Sequence, residues 1–179
     1  MKATDFPLNS LECVTPDLLP SVEFMDADDE LRAMSRLISD RTPHNMEVEV
    51  DRIKFLYTSK AKKEGGKYSI GELLVRSNKE KAVYDAFDYV CIVYHPVWKD
   101  LDKPNKFIQL DKLLCGVNIE TKKSGEEVKK KAPFDSREYM NNMSFWGSDP
   151  VLRSSETVHL AAARYVEEQK EKSKKNAKQ

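Results

Sequence analysis

Three histidines and three cysteines are the side chains here best able to bind a metal or act as nucleophiles, so their spacing decides what chemistry is open. His44, His95 and His159 fall in a loop, at a strand end and in the last helical stretch, and no neighbour in sequence supplies a paired ligand. Distant segments can converge on one ion, but this local pattern argues against a histidine-built centre. Cys13, Cys91 and Cys115 are odd in number and lack C-x-x-C spacing, which speaks against a disulfide framework or a zinc knuckle. Three reduced thiols, mostly packed, are expected instead. No G-x-S-x-G elbow, P-loop or G-x-G-x-x-G turn is present, so neither an activated serine nor a phosphate cradle of those kinds is indicated.

The elements that would position these groups follow from the apolar pattern. At 179 residues the chain suits one domain, expected to be cytoplasmic, since no run reaches the roughly 18 apolar residues of a membrane helix. Residues 1–50 hold 11 acidic against 4 basic side chains, and residues 51–179 hold 26 basic against 19 acidic. We read this as an acidic, partly ordered leader (1–25), a single domain (26–170) and a basic frayed tail (171–179). Asp26 or Asp28 caps a helix to about Ser39, with Leu31, Met34, Leu37 and Ile38 inward. Val48 to Tyr57 reads as a bulged strand, Lys60 to Lys67 as a turn, Tyr68 to Arg76 as a second strand, and Asn78 to Asp85 as a short helix or turn. The apolar run from Phe87 to Tyr94 predicts a central strand. Asp102 and Pro104 start a helix with Phe107, Leu110, Leu114 and Val117 on one face. Lys122 to Lys131 is expected as an exposed linker, Asp135 as the cap of a helix to Met143, and Ser154 or Ser155 as the cap of the last helix.

Three segments in this order resemble the phage metallopeptidase family, a zincin-like group: FDYVCIVYHPVWKDL (87–101), LDKLLCGV (110–117) and FDSREYMNNMSFWG (134–147). DRIKFLY (51–57) and IGELL (70–74) are similar to its earlier strands. The resemblance implies an α+β fold, with a small antiparallel or mixed sheet packed against helices on a zincin-like metallopeptidase scaffold. The family carries a helix of the form LDHELCHV, whose two His share a zinc ion while the Glu activates water. Here those positions hold Lys112, Leu113 and Gly116, and the family's further His before Asp is Phe134. An ammonium has no lone pair for a cation, and Leu, Gly and Phe carry no ligand atom.

The resemblance therefore implies a scaffold retained after its metal was lost: a phage or prophage-type pseudoenzyme without catalytic residues or cofactor. Its function would be to bind a protein partner, such as a host factor. The old substrate cleft is the expected binding site, with Lys112, Gly116, Phe134, Asp135 and Glu138 as candidates. Asp135 and Glu138 are more simply read as a helix cap and a first-turn acid, and Cys115 as a packed thiol. One alternative is a metal-dependent hydrolase whose shifted site uses Asp111, Asp135, Glu138 or a histidine. Another is a nucleic-acid-binding accessory protein using the lysines of 122–131 and 170–178, although these lack interleaved aromatics and arginines.

Overall fold

A computed structural model describes residues 3–12, 14–18, 22–64, 66–77, 80, 87–125, 127–132 and 136–176. The chain is α+β, and its organising strand is the apolar run, β6 (Tyr89–Tyr94), which is buried along nearly its whole length. It is interior because both neighbours need its edges. β2 (Ile53–Thr58) pairs with it in parallel, with Ile53 opposite Tyr89, and β5 (Gly71–Val75) pairs antiparallel on the other side. β1 (Phe24–Asp26) completes a mixed sheet of order β1-β2-β6-β5, in which β5 is an edge. Gly71 permits the close approach of β5: a Cβ there would lie 2.3 Å from the Ile92 carbonyl oxygen.

Helices cover the sheet. A π-helical turn (Asp28–Arg32) runs into α1 (Ala33–Arg41), a single turn α2 (His95–Trp98) follows β6, and α3 (Lys103–Leu114) lies buried between α1, α4 (Ser136–Trp146) and α5 (Ser148–Asn176). Asp102 caps α3 as its sequence suggests, accepting a hydrogen bond from Asn105 N at 2.9 Å, with Pro104 in the first turn. The inward stripe of Phe107, Leu110 and Leu114 is fully buried.

Several expectations change. Val50–Arg52 is a 3₁₀ turn, so the strand begins at Ile53 rather than Val48. The turn region 60–67 contains a two-residue hairpin, β3 (Lys63–Glu64) with β4 (Lys67–Tyr68). Val117 leaves the helix for β7 (Val117–Thr121), and the expected linker is its partner β8 (Glu127–Lys131). The reason is a pairing that charge composition hides: Glu120 on β7 meets Lys130 on β8 at 2.5 Å, and Tyr89 Oη donates to the carbonyls of Asn118 and Lys130, while Glu127 and Lys129 pair along β8 itself at 2.9 Å. The last helix starts six residues before Ser154. Gly147, at φ +91°, ends α4 and α5 begins at Ser148, with Ser154 fully buried inside it and donated a bond by Gln109 Nε2 at 2.9 Å. The basic tail is helical through Asn176. Most of the 78–85 segment lies outside the described residues, as do Cys13, Phe134 and Asp135.

The leader is anchored. Phe6 is buried against the rings of Phe107 and Trp146, His95 Nε2 donates to the Pro16 carbonyl at 2.7 Å, and Lys103 reaches the Leu11 carbonyl. The expected boundary at residue 25 falls inside β1, so the sheet already includes part of the leader.

Candidate functional site

Lys112, Leu113 and Gly116 come together at one cavity of about 480 Å³ between the β5 edge, the end of α3 and α5. Lys112 and Leu113 sit in the last turn of α3, while Gly116 lies just past the helix, where its N–H bonds to the Leu113 carbonyl at 3.1 Å. Two histidines at 112 and 116 would therefore not both stand on a continuous helix. A Cβ at 116 would also meet Leu113 O and Leu73 Cδ2, each at 3.1 Å. A zinc ion of the kind the resemblance implies does not fit the residues present, because none of the three offers a donor lone pair.

The lining can bind by other means. Leu73, Leu113 and Val158 give it an apolar wall, and Lys112 and Lys131 bring positive charge. Glu72 is paired with Lys62 at 2.9 Å. The Ser155 hydroxyl oxygen is buried at the cavity and makes no hydrogen bond among the described residues. His159 sits one turn further along α5, and its Nδ1 accepts from the Tyr68 N–H at 3.4 Å, which leaves the proton on Nε2. Phe134 and Asp135 lie outside the described residues, and nothing is described of the Glu138 side chain. No described leader residue lines the cavity.

A second cluster occupies a different face of α3. Asp111 is fully buried and accepts from four donors on two elements, the turn Pro43–Asn45 and α4. His44 Nε2 stands 3.0 Å from both carboxylate oxygens, Asn45 Nδ2 is 2.7 Å from Oδ1, and Trp146 Nε1 and Asn142 Nδ2 are 2.8 and 2.5 Å from Oδ2. So many donors stabilise a charge that burial alone would expel. Cys115 lies one turn on, its Sγ 4.0 Å from Asn45 Nδ2. The ligand-capable atoms of His44, Asp111 and Cys115 all lie within 4.8 Å of one another. The expectation that no histidine has a paired ligand held only for sequence neighbours: His44 finds its partner 67 positions away. The available signal was Asp111 itself, an acid on the inward face set by Phe107 and Leu114. None of the three cluster residues lines the cavity.

Other sites carry less chemistry. Burial pushes the Cys91 thiol up to about 12, which keeps it unreactive. Among the described residues no helix is long and apolar enough to cross a membrane. No protein-family model, curated protein or solved structure matches the chain.

Proposed function

We propose that this chain is a non-catalytic binding protein on a degenerate zincin-like scaffold of phage type, and that it takes a protein partner in the cavity beside β5. The observation that carries the reading is convergence: three of the four positions where the resemblance calls for catalytic groups line one cavity of about 480 Å³, and none bears the zinc ligand or carboxylate that the motif needs there. That volume lies in the range of ligand sites, and an apolar wall with two lysines suits a segment pairing apolar side chains with an acid. By analogy with the family's setting, the partner class is a host protein. Nucleic acid is the weaker occupant, because Lys129 and Lys130 are engaged with Glu127 and Glu120.

The experiment is selection of a displayed random-peptide library on the wild-type protein, followed by affinity measurement on Lys112→Glu and Ser155→Trp. Enriched peptides should combine apolar and acidic residues and should bind both folded variants at least about tenfold more weakly, a loss of about 1.4 kcal/mol. Unchanged affinity in both would remove the cavity as the site. In parallel, a quenched peptide pool with added zinc should remain uncut. Metal-dependent cleavage abolished by His44→Ala would replace this reading with the shifted-site hydrolase.

A further inference from the structure

We propose that His44, Asp111 and Cys115 form a binding site for one zinc-class transition-metal ion, clamping the turn Pro43–Asn45 onto the C-terminal end of α3. The site is separate from the cavity reading: positions 111 and 115 precede 112 and 116 by one residue, a rotation of about 100° around the helix.

The donor set comes first. An imidazole nitrogen, a carboxylate oxygen and a thiolate sulfur together select a borderline ion over calcium or magnesium, which require more oxygen ligands. The three ligand atoms already lie within 4.8 Å of one another. Tetrahedral zinc, with bonds of about 2.0–2.3 Å, wants them roughly 3.3–3.6 Å apart. Closing a 4.8 Å separation to that range takes about 1.2–1.5 Å of relative movement, and Asp111 and Cys115 already share a face through their one-turn spacing.

The surroundings are built for a ligand carboxylate. Asn45, Asn142 and Trp146 each donate to Asp111 and fix its plane, the outer-shell arrangement that orients metal ligands. A second observation lies at the same carboxylate. Asn142 is fully buried, and while its Nδ2 serves Asp111, its Oδ1 has no hydrogen-bond partner among the described residues. The His44 side chain is 10% exposed and Cys115 is half-buried, which gives an ion a way in.

Binding balances in charge and protons. In the metal-free protein His44 Nε2–H donates to Asp111. On binding, Nε2 turns its lone pair to the metal and the ring proton moves to Nδ1. The Cys115 thiol gives up one proton to solvent, and the dication faces one carboxylate and one thiolate.

The test uses the full chain, treated with chelator and then kept reduced, titrated with cobalt(II) and then zinc. One equivalent of cobalt should produce thiolate-to-metal charge-transfer absorption that one equivalent of zinc removes. Outer-shell losses alone cost about 10–100-fold in affinity, so His44→Gln and Cys115→Ser should each lose about 100-fold or more. Cys13→Ser and His159→Gln should retain the signal. At zinc concentrations 100 times Kd the wild-type folded-to-unfolded ratio should rise roughly 100-fold, read as a higher melting temperature, with no rise in folded Cys115→Ser. Absence of the absorption, its survival in Cys115→Ser, its loss in Cys13→Ser or His159→Gln, or an unshifted wild-type melt would each overturn the proposal.

Discussion

Replacing Glu30 by Gln should be among the most damaging single-atom changes in this protein. Glu30 and Lys106 form an ion pair at 3.3 Å whose side chains are 4% and 7% exposed. The carboxylate also accepts from Tyr57 Oη at 2.5 Å, Thr15 Oγ1 at 2.8 Å and Trp98 Nε1 at 3.3 Å, and the Lys106 ammonium sits 5.4 Å from the Trp98 ring centre. Burial first, and then the Glu30 charge, raises the Tyr57 phenol well above its usual range, so Tyr57 remains a donor at neutral pH. Glu30→Gln keeps the shape but turns an NH₂ toward groups that need an acceptor and leaves the ammonium without its counter-charge. Breaking a buried pair in this way costs about 3–5 kcal/mol. For a chain of this size that corresponds to a melting temperature lower by about 6–20 °C. Lys106→Met should cost a similar amount by stranding the carboxylate. The double variant strands neither charge, so its loss should fall at least about 2 kcal/mol short of the sum of the singles. Urea unfolding at pH 7, with m-values compared to exclude a change in the unfolded state, gives all three numbers. Single losses under about 1 kcal/mol, or an additive double, would refute the reasoning.

Two further outcomes follow from local geometry. Gly71→Ala pushes a methyl group into the backbone of β6, with contacts at 2.3 Å to Ile92 O and 3.1 Å to Val93 Cα, and should lower stability by about 1–3 kcal/mol. Gly116→Ala meets nothing closer than 3.1 Å and should cost less; the reverse order in urea midpoints would count against the described register of β5. Cys91, with its thiol pushed up to about 12 from an ordinary 9.0, should hold about a thousandfold less thiolate than an ordinary cysteine at pH 8. Iodoacetamide should therefore modify Cys115 in the native metal-free protein and reach Cys91 only in urea, as read by peptide mass spectrometry. Comparable native rates would show that the β6 core opens.

Much of the fold was legible wherever the signal was local. The apolar run 87–94 announced an interior strand because a β-branched and aromatic segment of that length is stable only with both faces covered. Asp102 and Pro104 announced the start of α3 because an N-cap acts within one turn. The lysine-rich 122–131 segment misled for the opposite reason. Its β structure depends on cross-strand partners at 117–121 and on Tyr89, which no local composition reveals. Ser154 and Ser155 resembled caps by type, yet Gly147 sets the boundary through its left-handed backbone, and the serines are carried into the helix interior.

The candidate sites divide along the same line. By itself the sequence determined which atoms are available: no zinc ligand at 112, 113 or 116, three histidines without local partners, and an acid at 111. Tertiary structure alone decided which of them meet. It gathered Lys112, Leu113 and Gly116 at one cavity with a far stretch of α5, set His44 against Asp111, and sealed Glu30 with Lys106. Periodicity reports which way a side chain faces its own element. What waits on the other side depends on how the elements cross, and that is settled by packing between residues 67 and 76 positions apart.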